Sequence, residues 1–159
     1  MSTTDHQTVQ NEIAALATTE QSLEAFMQRI CELLNQHFLK YNWVGFYMVD
    51  PNDPNTLVLG PFIGSITPHV RIPLNEGICG AAVSTGQTLV VDDVNSDPRY
   101  LACSIETKSE LVVPISVNGK IVGEIDIDSH FPAAFTPEDR SLVEHCAALV
   151  GSYMESHPS

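Results

Sequence analysis

The chain has 159 residues, 43% of them hydrophobic, with 20 acidic against 7 basic side chains and a formal net charge of -13. It is long enough for one well-buried domain, too short for two comfortable ones, and too apolar to be disordered. The charge argues against binding to nucleic acid or to anionic membranes; it reads either as plain solubility or as a cavity that welcomes an amine, which only the local placement of carboxylates separates.

In chain order, a weak helical pattern over residues 11–17 precedes a strong one. Leu23, Phe26, Met27, Ile30, Leu33, Leu34 and Phe38 keep the three-and-four spacing of a single buried face. Thr19 is the expected N-cap, with Glu20 in the first turn. Residues 43–49 are rich in aromatic and β-branched types and read as a strand, ending at a proline-containing turn over 50–55; residues 56–62 form its hairpin partner. A short extended piece over 70–73 leads into a turn and short helix over 75–83, then a strand over 88–91. Residues 92–108 lack periodicity and form a loop long enough to be functional. Residues 109–117 and 120–128, joined by Asn118 and Gly119, make the clearest hairpin. Thr136, Pro137, Glu138 and Asp139 start a final helix, with Leu142, Val143, Cys146, Leu149, Val150 and Tyr153 as its buried stripe. The order predicts a single α+β domain over residues 1–159 whose helices cover one face of an antiparallel sheet.

Residues 1–12 lack the basic start and apolar core of a secretory signal. No apolar run approaches the roughly 20 residues of a membrane helix. The 4 cysteines include no Cys-x-x-Cys pair, so neither a disulfide scaffold nor structural zinc is expected. A cytoplasmic setting follows, in which a disulfide is transient and catalytic. No metal and no cofactor are expected.

Chemistry concentrates at a few positions. Cys79 stands near a helix N-terminus, where amide donors and the helix dipole favour a thiolate; the other reading is a small residue packed on the sheet. Cys103 lies in the long irregular loop, whereas Cys31 and Cys146 fall on buried helical faces. Alternation puts Glu124, Asp126 and Asp128 on one face of their strand and Ile125 and Ile127 on the other. Such a face is either solvated or turned toward a cationic ligand, and Glu110 in the paired strand can join it. Trp43 and Tyr47 share one side of their strand, as core aromatics or as walls for a sulfur-containing group.

Asn42-Trp-Val-Gly-Phe-Tyr47, Leu59-Gly-Pro-Phe62, Arg71-Ile-Pro73, Glu76-Gly-Ile-Cys-Gly80, Leu101-Ala-Cys103, Ser109-Glu-Leu-Val-Val-Pro114 and Glu124-Ile-Asp-Ile-Asp-Ser129 occur in one order. Together they resemble the free methionine-(R)-sulfoxide reductases, stand-alone GAF domains, over about residues 19–153. The resemblance implies a six-stranded antiparallel GAF sheet with a ligand pocket under a capping loop. It implies thiol-dependent reduction of free L-methionine-(R)-sulfoxide to L-methionine, an oxidative-stress function. In this scheme Cys103 is the nucleophile and becomes a sulfenic acid, which thioredoxin ultimately returns to the thiol. Glu110, Asp126 and Asp128 hold the substrate, Trp43 and Tyr47 pack around its methyl-sulfoxide end, and Asp128 or Glu110 donates the proton. Members often pair as homodimers. The chain departs from the family at His69, where most members carry the resolving cysteine, and at Ser104, commonly an aspartate. We read His69 as a passive replacement, leaving Cys79 or an external thiol to resolve the sulfenic acid. The competing readings are a non-catalytic small-molecule-binding GAF module and a degenerate reductase that binds methionine or its sulfoxide without turnover.

Overall fold

The computed structural model describes residues 3–101 and 105–157. Its strands are β1 (Trp43–Asp50), β2 (Asp53–Ile63), β3 (Arg71–Pro73), β4 (Leu89–Val91), β5 (Ser109–Val117) and β6 (Lys120–Ser129). They form one six-stranded sheet in the order β3-β2-β1-β6-β5-β4, and each neighbouring pair is antiparallel. The helices are α1 (Thr3–Thr19), α2 (Leu23–His37), α3 (Gly77–Thr85) and α4 (Pro137–Ser156).

The alternation of the central strands divides the interior in two. Val44, Phe46, Leu111, Val113, Ile125 and Ile127 face a core built with the apolar stripes of α1, α2 and α4. Trp43, Tyr47 and Val112 face the opposite side, where Ile78, Cys79, Ala82 and Val83 of α3 close a second, smaller core. The three long helices thus cover one face, and short α3 occupies the other. The β5–β6 hairpin turns at Asn118 and Gly119, whose φ angles of 52° and 81° belong to the left-handed region. That is the primed-turn geometry an Asn-Gly pair favours.

Local differences from the sequence reading have tertiary causes. The first helix is longer than the expected 11–17, because Val9 and Ile13 are fully buried in the helical core and His6 is anchored at its far end. The N-cap of α2 is Ser22, not Thr19: the Ser22 hydroxyl accepts from the Ala25 amide at 3.1 Å, while Thr19 is the last residue of α1. The first hairpin turn is tighter than residues 50–55, since Asp50 already pairs with Asp53. Asp50 and Asp53 each accept from the amide two residues on, which turns the chain within a short space. In the long loop, Val94–Ser96 forms a 3-10 turn, and the Val94 amide donates to the Lys108 carbonyl. No helix among the described residues is long and apolar enough to cross a membrane.

The expected start of α4 is present as a capping box between Thr136 and Asp139, with Pro137 at the first position. Asp139 does more than complement the dipole. It is fully buried and accepts from Lys40 Nζ at 2.6 Å, from the Tyr41 hydroxyl, and from the Thr136 amide at 2.8 Å, with His6 Nε2 at 2.9 Å. Burial pushes its carboxyl up, but Lys40, Tyr41, Thr136 and His6 outweigh that and hold it well below the usual aspartate range. One side chain thereby ties α1 and the segment before β1 to the start of α4. We predict that Asp139→Ala lowers the unfolding free energy by about 3 kcal/mol, because it strands Lys40 and the cap, and that His6→Ala loses less than half as much. Urea midpoints check both. Because the native carboxyl is depressed, its stabilisation is present at neutral pH and is lost as pH falls below the ordinary aspartate range; Asp139→Ala should flatten that acid limb.

Candidate active site

Register assembles the site. Trp43 lies across from Asp128, Gly45 from Asp126 and Tyr47 from Glu124. On the other side of β6, Glu110 pairs with Asp128 and Val112 with Asp126. The acidic face predicted from alternation therefore exists, and Glu110 joins it from β5. It is dry: Glu110, Asp126 and Asp128 are at most 5% exposed and Glu124 is fully buried. Both oxygens of Glu124 and one each of Asp126 and Asp128 have no hydrogen-bond partner among the described residues. None of these three residues enters an ion pair there.

Burial governs their protonation. It pushes Glu124 well above the ordinary carboxylate range, the charge of Asp126 adds to this, and the nearby Cys79 thiol opposes it in part. Asp128 is raised well above its ordinary value by burial and then by Asp126, against a hydrogen bond from Glu110. Asp126 is raised by burial, with Glu110 and Cys79 pulling the other way. Glu124 was legible in the sequence only as a member of the acidic face; its place beside Cys79 comes from the packing of α3.

Of the two readings of Cys79, a thiolate favoured by the helix end or a small residue packed on the sheet, its burial favours the second. The residue is on α3, but it is 6% exposed and faces the acids. Burial pushes its thiol well above the ordinary range, and the charges of Asp126, Glu124 and Glu110 push it further. Negative charge close at hand outweighs the dipole of a short helix. Cys31 and Cys146 lie in the helical core on the opposite face of the sheet, and burial pushes the Cys146 thiol up to about 12.

An aromatic wall flanks the acids. The Trp43 ring stacks on Phe62 at 5.5 Å and on Tyr47 at 6.2 Å between centroids. Its indole donates to the Ser65 carbonyl at 3.0 Å, and the Tyr47 hydroxyl donates to the His69 carbonyl at 2.7 Å. Both polar tips thus fasten the loop between β2 and β3 over the pocket. The indole lies where a Cβ on Gly45 would meet it at 2.4 Å, so glycine there makes the wall possible.

Two cavities adjoin this wall. The outer one, about 370 Å³, is lined by Trp43, Ser65, Thr67, Thr107, Asp128 and His130 among others, within the range of small-molecule sites. The inner one, about 10 Å³, is lined by Tyr47, His69, Cys79, Leu101, Glu110 and Asp126 among others. Trp43, Tyr47, Cys79, Glu110, Asp126 and Asp128 are thus brought to one face of the sheet, shared between two small compartments. Cys103, the expected nucleophile, lies outside the described residues, as does Ser104.

The GAF domain family model matches residues 22–154. The free methionine-R-sulfoxide reductase of Escherichia coli is 38% identical over 134 residues, covering 84% of this chain and 79% of that protein. The Saccharomyces cerevisiae protein of the same name is 46% identical over 110 residues, 69% of this chain, and the match spans only 61% of its length. The X-ray structure of free methionine-R-sulfoxide reductase from Neisseria meningitidis in complex with its substrate superposes with a TM-score of 0.89 at 34% identity, covering 95% of this chain and 89% of that one.

A carboxyl whose native pKa is raised stabilises the fold below its ordinary range, and that contribution is lost as pH climbs through the native value. The protein should therefore be more stable near about pH 5 than near about pH 8, by virtue of Glu124, Asp126 and Asp128. Glu124→Gln should gain about 1–2 kcal/mol at the higher pH and little at the lower one. Urea midpoints at the two pH values test this; a variant that follows the wild-type slope unchanged would count against a pH-dependent cost at Glu124.

Proposed function

The chain belongs to the GAF-domain family and, within it, to the free methionine-R-sulfoxide reductases, and we propose that it reduces free L-methionine-(R)-sulfoxide to L-methionine. The observation that carries this reading is the cluster of buried acids in which Glu124, Asp126 and Asp128 keep orphaned oxygens and no ion pair among the described residues. An ammonium group supplies the missing charge and donors together. A free amino acid has that group and a methionine inside a peptide does not, which accounts for selectivity.

The reaction follows from the same residues. Asp126 and the neighbouring carboxylates hold the ammonium, and Trp43 and Tyr47 enclose the methyl-sulfoxide end, sulfur packing well on aromatic rings. Cys103 acts as the nucleophile; Leu101, two residues before it, lines the inner cavity with Cys79, Glu110 and Asp126, which supports the assignment. The Cys103 sulfur attacks the sulfoxide sulfur while Asp128, kept neutral chiefly by burial, or its cross-strand partner Glu110 donates to the sulfoxide oxygen. Net oxygen transfer leaves methionine and a Cys103 sulfenic acid. Cys79 then condenses with it, releasing water and forming a disulfide that thioredoxin reduces. Burial and the neighbouring acids hold the Cys79 proton, which leaves as the disulfide forms. The cytoplasm, where thioredoxin is kept reduced, suits this cycle. His69 lines the inner cavity, but its backbone carbonyl is engaged by Tyr47, and we keep it as a passive replacement for the cysteine usual at that position.

NADPH consumption with thioredoxin, thioredoxin reductase and each free epimer tests the reading. Turnover is expected with the R epimer alone. None with either epimer, with dithiothreitol as the reductant too, would leave a binding module or a degenerate enzyme. Cys103→Ser should abolish turnover and leave binding of the R epimer within a few-fold, whereas Asp126→Asn should weaken binding at least about tenfold. Cys79→Ser should preserve a single turnover and slow the steady state; an unchanged steady state would assign resolution to an external thiol.

A further inference from the structure

Cys79, Glu110 and Asp126 come together from α3, β5 and β6. The Cys79 sulfur and one carboxylate oxygen of each acid lie within 4.8 Å of one another, all in buried residues. The cavity they line measures about 10 Å³, room for roughly one water-sized sphere, the size of a single ion or of one ammonium group. Glu124 adjoins the same thiol, and apart from that thiol both its oxygens, like one oxygen of Asp126, are buried with no hydrogen-bond partner among the described residues. We propose that this cluster binds a thiophilic divalent cation of the zinc class through Cys79, Glu110 and Asp126, with Glu124 as an additional carboxylate, in competition with the substrate's ammonium group.

The donor set selects the ion. Magnesium and calcium require a larger shell of oxygen ligands, several of them often waters, and neither favours sulfur. Zinc accepts sulfur and carboxylate oxygen together in a four-coordinate shell with bonds of about 2.0–2.3 Å. Ligands at such bond lengths stand somewhat under about 4 Å apart, so the cluster closes on an ion by a side-chain adjustment of about 1 Å. As the sulfur–metal bond forms, the Cys79 thiol releases its proton to solvent. The ion then supplies the positive charge that Glu124 and Asp126 lack, and it occupies the second thiol of the reductase cycle. Metal binding stands independently of the proposed reaction; the competition, and the inhibition it produces, rest on that reading.

Cobalt(II) serves as the spectroscopic probe, added to the full chain carrying Cys103→Ser so that the nucleophile cannot supply the sulfur. One equivalent should produce a near-ultraviolet thiolate-to-cobalt band that zinc displaces and excess magnesium does not. Cys79→Ser should remove the band. Asp126→Asn should weaken cobalt binding at least about tenfold, and it provides an independent reading if Cys79→Ser fails to fold. A folded protein that gives no band, or a band that survives Cys79→Ser, overturns the site. The R epimer in excess should bleach the band, while the S epimer, an equally good chelator, should not; equal bleaching by both overturns the competition. A cobalt band in a chain that reduces neither epimer would establish the metal site and fail the reductase reading alone; turnover without the band would do the reverse.

Discussion

Carboxyl groups held out of water on one face of β6 constrain the rest of the molecule. Glu124, Asp126 and Asp128 alternate with Ile125 and Ile127, so the strand that carries the acids also runs through the centre of the apolar core. A buried polar group without partners costs on the order of 1–3 kcal/mol, and here several stand side by side. The opposite face must offset that cost, which is consistent with three helices packing there, while among the described residues α3 and the loop between β2 and β3 cover the acids. The orphaned oxygens are a standing demand for a cation, and the chemistry proposed for this chain begins from that demand.

The aromatic wall meets the other half of the substrate's chemistry. Trp43 and Tyr47 sit on the same face of β1 as the acids of neighbouring β6, and their polar tips reach the loop before β3. A ligand with a cationic end and a sulfur-bearing end thus meets carboxylates and ring faces within one strand spacing. The site is built on central strands with only its cover on loops, which gives a small substrate a rigid frame.

Asp139 and the site acids show how partners decide the behaviour of one residue type. All are buried, but Lys40, Tyr41, Thr136 and His6 surround Asp139 and keep it ionised, whereas Glu124, Asp126 and Asp128 meet chiefly one another and a thiol and are pushed toward neutrality. The first arrangement holds the fold together; the second is suited to binding and proton transfer. The cysteines divide similarly. Cys31 and Cys146 fill the helical core, and Cys79 alone among the described cysteines faces titratable groups of the site.

Much of this was legible in local pattern. Strand alternation gave the acidic face, Asn118-Gly119 gave the hairpin, the spacing from Leu23 to Phe38 gave the main helix, and Thr136 with Pro137 gave the start of the last one. Such features depend on residues close in sequence, whose geometry the backbone periodicity dictates. The length of α1, the choice of Ser22 over Thr19 as cap and the location of α3 opposite the other helices depended on what packs against what. So did protonation: the dipole argument at Cys79 was overruled by burial and then by acids from two other elements. The sequence by itself determined which residues share a strand face. Only the tertiary structure decided which faces are dry and which charges meet, because burial and distance, the two quantities that set an electrostatic energy, are properties of the packed whole.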